Sequence, residues 1–103
     1  MLTVTAKFRI FPGKEAAAEE AINAVVSAVN ENEPGTLCYA WHLAIKDPSQ
    51  ILVFEVYRDD EAVAAHRAAP YLADFQKLFV PDGVFDPDSV KIERYARFAE
   101  VIR

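Results

Sequence analysis

The stretch ILVFEVYRDDEAVAAHRAAPY, residues 51–71, decides the fold of this chain. It reads as an apolar strand, an acidic turn and an alanine-rich helix in direct succession, which is typical of a sheet covered by helices. Its strand contains a carboxylate, Glu55, and its helix contains an imidazole, His66, three residues after Val63 on the inward stripe. These two polar side chains occupy positions that favour burial, so they are the first candidates for a functional site.

The residues on either side extend this stretch into a βαββαβ order. Alternating or apolar runs predict strands over 2–11, 36–46, 51–57 and 90–98, and helical spacing predicts helices over 14–30, 59–67 and 70–79. Asp59 is expected to cap the second helix and Pro70 to open the third. This order predicts an α+β, ferredoxin-like fold with an antiparallel four-stranded sheet and helices on one face.

Length and composition predict one domain over 1–103 and exclude several classes of protein. A hydrophobic fraction of 52% is too high for disorder, and a net charge of −5 without a basic stripe argues against binding of nucleic acid. No apolar run approaches the roughly 20 residues that cross a bilayer, so no membrane partner is expected. The lone Cys38 and the lack of a secretory signal predict a cytoplasmic protein that acts on a small molecule.

The third strand has apolar residues on both of its faces. Ile51, Val53 and Tyr57 alternate with Leu52, Phe54 and Val56. Helices on one side of the sheet cover only one of these faces, and a bare apolar face usually marks an interface. We therefore expect a homodimer in which two sheets pack face to face, with the large residues making the seam. The alternative is a monomer whose C-terminal segment covers that face.

The second strand supplies the residues expected to line a cavity beneath the helices. Its small residues share one side with His42: Cys38, Ala40 and Ala44. Their small volume leaves room for a ligand. A four-residue loop, 47–50, sets His42 opposite Glu55, whereas a five-residue loop sets Trp41 there. We expect the shorter loop because the Asp47-Pro48 pair suits a type I turn.

The shorter loop brings His42, Glu55 and His66 together. The carboxylate then holds one imidazole in a single tautomer and the free ring nitrogen moves a proton, so His66 and Glu55 are the predicted catalytic residues. The predicted substrate-binding residues are His42, Tyr71, Cys38 and Tyr57. Two imidazoles and a carboxylate also suit a metal, but the tight ligand spacing of known metal motifs is missing and no metal is expected. The alternative for each residue is a structural role in the core or at the interface.

Two segments support a family resemblance. EPGTLCYAWH, residues 33–42, and ILVFEVYRDDEAVAAHRAAPYLADFQ, residues 51–76, resemble the antibiotic biosynthesis monooxygenase family of small dimeric α+β barrel proteins. The most specific part is the pattern E-x-Y-x-D-x-x-A-x-x-x-H, which runs from Glu55 to His66. The resemblance implies oxygenation of a quinol or polyphenol-like small molecule without flavin or metal, so no cofactor is expected.

Two departures from the relatives bear on the mechanism. Many relatives carry a second His after the proline, where this chain has Tyr71. The haem-degrading branch carries an axial His, a Trp and an Asn where this chain has Gln76, His66 and Ala6, so no haem is expected.

The resemblance implies a leading function and leaves two alternatives open. In the leading function His66 accepts a proton and Glu55 orients it, with molecular oxygen as co-substrate. His42 or Tyr71 then holds the substrate oxygen. The first alternative is isomerisation of a small carbonyl compound, as in the similar autoinducer-2 processing enzymes; its candidate phosphate-binding cations are Lys7, Arg9 and Arg94. The second alternative is a non-catalytic dimeric module that binds a ligand.

Overall fold

The computed structural model describes residues 1–103 and contains an antiparallel four-stranded sheet with three helices. The strands are β1 (Leu2–Arg9), β2 (Thr36–Leu43), β3 (Gln50–Tyr57) and β4 (Lys91–Ala96), and the helices are α1 (Glu15–Asn32), α2 (Asp60–Ala68) and α3 (Pro70–Gln76). A short 3-10 helix, Pro87–Ser89, precedes β4. The strand order β2-β3-β1-β4 confirms the predicted ferredoxin-like α+β fold.

The start of α2 follows the predicted capping chemistry. The Asp59 side chain accepts a hydrogen bond of 2.9 Å from the backbone N–H of Ala62, which satisfies one of the free donors at the helix start. This cap sets the phase of the helix, so that Ala62, Val63 and His66 are its buried residues. Pro70 opens α3 at its first turn, also as predicted.

The core lies between the inner face of the sheet and the helices. Strand β1 contributes Ala6 and Phe8, and α1 contributes Val25 to the same cluster. Phe8 packs edge-on against Phe85, which is fully buried, with ring centroids 5.2 Å apart. Full burial of a large apolar side chain contributes about 2 kcal/mol to stability, so this aromatic cluster holds helices and sheet together.

The register of the β2–β3 hairpin differs from the predicted one. Tyr39 lies opposite Glu55 and Trp41 lies opposite Val53, whereas the predictions placed His42 or Trp41 opposite Glu55. Both predicted registers are therefore wrong. The connecting loop is longer than expected. Asp47 lies at the loop tip, where its side chain accepts hydrogen bonds from the hydroxyl and the backbone N–H of Ser49.

Aromatic packing is the physical reason for this register. It points Trp41 at the helices, where its ring meets Phe8 at 5.6 Å and Phe75 at 5.5 Å between centroids. Burial of these rings outweighs the preference for a short loop, because each aromatic buries far more area than the turn residues do. A bulge between Thr36 and Cys38 adjusts the start of the strand.

This register reverses the expected faces of β2. Tyr39 and Trp41 face the helices, while Cys38, Ala40 and His42 share the opposite face with Leu52 and Phe54. The expectation that the small residues lie beneath the helices is wrong. We call the opposite face the outer face; its members are Cys38, Ala40, His42, Leu52, Phe54 and Val56.

The C-terminal segment does not cover the outer face. Residues 97–103 form no helix or strand, and Phe98 is 100% exposed. The apolar side chains of this segment, Phe98, Val101 and Ile102, are thus exposed and give the outer face no cover, unlike the arrangement expected in the monomer alternative. Of the helices that the chain does form, none has the length and apolar composition to cross a bilayer.

Candidate active site

A cavity of about 310 Å³ lies between the inner face of the sheet and helices α2 and α3. Apolar and aromatic side chains make most of its wall, and its charged or amide side chains are Glu55, His66, Arg67 and Gln76. This volume is at the lower end of the range for small-molecule sites. An apolar wall with a few converging polar groups suits an aromatic ligand that carries hydroxyl groups.

His66 is held in the wall of this cavity by Glu33. The imidazole is only 6% exposed, and its Nδ1 lies 2.9 Å and 3.1 Å from the two carboxylate oxygens of Glu33. With Nδ1–H as the donor to this carboxylate, Nε2 is the nitrogen left to exchange a proton. The ring is thus fixed in orientation and in tautomer by a buried acid.

Glu33 is the site residue that sequence reasoning missed. It is the C-cap of α1, it is 8% exposed, and it lies 33 positions before His66 in the chain. An acid at the C-terminal end of a helix is unfavourable for the helix dipole, so it needs a compensating partner elsewhere. That unfavourable position was the signal in the sequence.

Two hydroxyl groups complete the surroundings of Glu33. Thr36 donates from its Oγ1 at 2.7 Å, and Tyr71 donates from its phenol to the other carboxylate oxygen. Burial and the bond to Glu33 raise the pKa of Tyr71, so it stays a neutral donor. Tyr71 therefore contacts the acid behind the imidazole, a different place from the substrate oxygen that the sequence suggested.

Glu55 approaches His66 from the other side. It lies on β3, is 7% exposed and accepts a hydrogen bond from the phenol of Tyr57. Its Oε1 is 3.9 Å from Nε2 of His66, which is too long for a direct hydrogen bond. Burial raises the pKa of Glu55, although the Tyr57 bond and the His66 charge oppose the rise. The gap between Nε2 and Glu55 leaves Nε2 without a hydrogen-bond partner in the protein.

Tyr39 adds an aromatic surface beside the imidazole. Its ring lies edge-on to His66 with centroids 5.2 Å apart, and burial raises its pKa. Tyr57 lies on the neighbouring strand at 5.6 Å from the same ring, and burial raises its pKa as well. Both phenols stay neutral, so they favour an aromatic ligand by contact and by hydrogen bonding.

The structure brings together some of the predicted site residues and separates others. His66, Glu55 and Tyr57 line the cavity, whereas Tyr71 lies outside it and contacts Glu33. His42 is exposed on the outer face, where its Nδ1 lies 3.2 Å from the carbonyl oxygen of Leu52. The expectation that His42 and Cys38 share the cavity is therefore wrong, because the hairpin register places both on the other side of the sheet. No group of three or more His, Cys, Asp or Glu is arranged to hold a metal ion.

Comparison with known proteins extends these observations. A family model described as antibiotic biosynthesis monooxygenase matches residues 1–78. The protein PA3566 of Pseudomonas aeruginosa is similar at 28% identity, with a TM-score of 0.81 over 95% of this chain and 94% of that one. Rv0793 of Mycobacterium tuberculosis shares the fold at 21% identity, with a TM-score of 0.81 over 98% of each chain.

A crystal structure named antibiotic biosynthesis monooxygenase shares the fold as well. Its identity is 20% and its TM-score is 0.83, over 96% of this chain and 100% of that one. Among curated proteins, none matches this sequence.

Proposed function

The chain belongs to the antibiotic biosynthesis monooxygenase family, and on this basis we propose that it oxygenates a quinol or polyphenol-like small molecule without a cofactor. The observation that carries the proposal is the setting of His66. Its Nδ1 is bonded to buried Glu33, while its Nε2 lies 3.9 Å from Glu55 across a gap in a largely apolar cavity. Such a base, held by an acid and shielded from water, suits removal of a phenolic proton.

The first step of the proposed reaction is proton transfer to His66. The substrate hydroxyl lies in the gap between Nε2 and Glu55, and its proton passes to Nε2. The Glu33 carboxylate stabilises the imidazolium that forms, because an opposite charge at hydrogen-bond distance favours the charged form. The substrate becomes an electron-rich anion within an apolar wall.

The second step is the reaction of this anion with molecular oxygen. Electrons pass from the ring to oxygen, and a new C–O bond forms at a ring carbon. The O–O bond then breaks, one oxygen stays on the ring, and the other leaves as water with a proton returned from His66. For a simple quinol the balance is quinol plus O₂ giving hydroxyquinone plus water. Exclusion of bulk water by the cavity wall protects the reactive anion from side reactions.

Oxygen uptake and isotope incorporation test this proposal. With a panel of quinols and labelled O₂, we expect one O₂ molecule to be consumed per substrate molecule and one labelled oxygen atom to appear in the product. Turnover should be lost when oxygen is removed. A product that gains deuterium from solvent without oxygen uptake overturns the oxygenase and favours isomerisation. Binding without any conversion favours the non-catalytic alternative.

The positions of the other cations disfavour an isomerase of phosphorylated carbonyl compounds. Arg9 is paired with Asp86, and Arg94 is paired with Asp60. Lys7 is exposed and occupies the outward side of β1, because its neighbours in the strand, Ala6 and Phe8, are buried. None of these three cations lines the cavity, so they offer no cluster for a phosphate there.

We also propose that the protein is a cytoplasmic homodimer joined through its outer faces. Phe54 is 37% exposed although it lies in the middle of the sheet, and no helix covers it. Sedimentation of the wild type and of Phe54→Asp tests the dimer: we expect a dimer that the variant converts to a folded monomer. A wild-type monomer at high concentration, or a dimer unaffected by the charge, overturns this interface. The cytoplasmic location rests on the unpaired Cys38.

A further inference from the structure

Arg67 is a cation on the cavity wall without an acidic partner. It directly follows His66 in α2, lines the cavity and is exposed. Four other arginines differ from Arg67 because each forms an ion pair with a carboxylate: Arg9, Arg58, Arg94 and Arg97. A guanidinium left free at the edge of a ligand cavity is available to a ligand.

The polar groups of the cavity fall into two sets of different depth. Glu55 and His66 are buried, at 7% and 6% exposure, whereas Arg67 and Gln76 are exposed. Burial raises the pKa of Glu55 and the charge of Arg67 opposes that rise, so the guanidinium lies within electrostatic reach of the buried set. One ligand can therefore contact both sets.

We propose that Arg67 binds an anionic group of the substrate, which is then an acidic phenol: an aromatic ring with a hydroxyl at one end and a carboxylate or similar anion at the other. The hydroxyl enters the gap beside His66, and the anion pairs with the guanidinium of Arg67 while the Gln76 amide donates a second hydrogen bond. This inference rests on the proposed function, because it names the substrate class for the same cavity.

Electrostatics fixes the orientation of such a ligand. An anion placed deep in the cavity meets the carboxyl group of Glu55 and loses its hydration, whereas an anion at the mouth keeps part of it. Arg67 offers a planar fork that matches a carboxylate with two parallel hydrogen bonds. The chain carries a net charge of −5, so attraction of the anion depends on direct contact with Arg67 and not on long-range steering.

Binding of two matched probes tests the inference. The probes are 2-naphthol and 6-hydroxy-2-naphthoic acid, which differ by a carboxylate at the end of the ring system far from the hydroxyl. By calorimetry at low salt, we expect the acid to bind wild type about fivefold more tightly, the size of a partly solvated charged contact. Arg67→Gln should abolish this preference and leave the affinity for 2-naphthol within about twofold, because the hydroxyl site is untouched.

Arg94→Gln is the matched control. Arg94 is also an exposed arginine on the helix side of the sheet, but it pairs with Asp60 and does not line the cavity. We expect this variant to keep the full preference for the acid. Equal binding of the two probes to wild type, a preference that survives Arg67→Gln, or no binding of either probe overturns the inference.

These results are independent of oxygen chemistry, because neither probe is a quinol. Acid preference through Arg67 combined with a lack of oxygen uptake upholds the anion site and overturns the proposed oxygenase. Oxygen uptake with neutral quinols, without a preference for the acid probe, upholds the proposed oxygenase and overturns the anion site.

Discussion

The two faces of the sheet are built from the same strands and differ in almost every property. The inner face has Tyr39, Trp41 and Glu55 beneath helices, where all three line the cavity and Glu55 accepts a hydrogen bond from Tyr57. The outer face has Ala40 and His42 at the matching positions and no helix above it. Alternate residues of one strand thus face the helix-covered cavity on one side and a helix-free surface on the other.

This difference shows how strongly hairpin register decides which side chains face the cavity. A change of register by one residue moves every side chain of a strand to the opposite face. In this molecule the register places His42 on the face opposite to Glu55 and the cavity. His66 has two carboxylates around it, while His42 has only a backbone carbonyl nearby.

The largest expected effect comes from substituting each of the two histidines separately. His66→Gln removes the proposed base, so we expect quinol oxygenation to fall by about a hundredfold to ten-thousandfold in kcat. His42→Gln lies on the outer face and should stay within about twofold of wild type. Oxygen-electrode assays of both variants measure this contrast. Equal losses in the two variants contradict the division of labour between the faces.

Next in size is the effect of Glu33→Gln. The amide keeps the shape of the side chain but does not stabilise an imidazolium, so we expect kcat to fall by about tenfold to a hundredfold. Stability should fall by about 1–2 kcal/mol in urea unfolding, since Thr36 and Tyr71 lose a charged acceptor.

Glu31→Gln is the control for Glu33→Gln. Glu31 lies in the last turn of α1 and is exposed, so we expect it to change neither kcat nor stability. A Glu33→Gln variant as active as the control shows that the acid behind His66 has no part in proton transfer.

A smaller effect is expected at Gly35, where β2 passes under α2. A Cβ added at Gly35 would lie 2.7 Å from the Cβ of Ala62, so Gly35→Ala must push the helix that carries His66 away from the sheet. We expect a loss of about 1–3 kcal/mol in urea unfolding.

Gly13→Ala separates crowding from backbone strain. Gly13 has a φ of +82° but no heavy atom within 4 Å of the added Cβ, so this variant has only the conformational cost of about 1 kcal/mol. Oxygenase activity should fall in Gly35→Ala and stay unchanged in Gly13→Ala. Equal activity in both rules out close packing of α2 as the means of placing His66.

The smallest effect concerns the pH dependence of stability. Burial raises the pKa of Glu55 above its ordinary 4.5, so between 4.5 and the raised value the folded protein holds a proton that the unfolded chain has released. Stability therefore decreases as pH rises through this window. The Glu55→Gln variant should not show this decrease. Its free energy of unfolding in urea, relative to that of wild type, should therefore increase from pH 4 upwards and then level off. A constant difference between the two proteins at all pH values contradicts a raised pKa of Glu55.

Much of the fold could be predicted because its signals are local. Alternation in the strands, the Asp59 cap and Pro70 each act within a few residues, and each leads to the observed element. Burial of Glu55 and His66 could also be predicted, since each lies on an apolar stripe whose phase is set locally.

The rest of the site depends on contacts between distant residues. Loop chemistry around Asp47 indicated one register, but the burial of Trp41 against Phe8 and Phe75 decided another. Glu33 reaches His66 only once α1 and α2 are packed on the sheet, and no local pattern encodes that contact. The contact between Glu33 and His66 was therefore beyond reach of the local pattern, although the burial of Glu55 and of the imidazole was not.

The most direct test of the account is a crystal structure of the protein with 2-naphthol. The account predicts the ring within the helix-covered cavity and its hydroxyl oxygen at hydrogen-bonding distance from Nε2 of His66, about 2.6–3.2 Å. A ring bound to the outer face, or a cavity without ligand at saturating concentration, would contradict it.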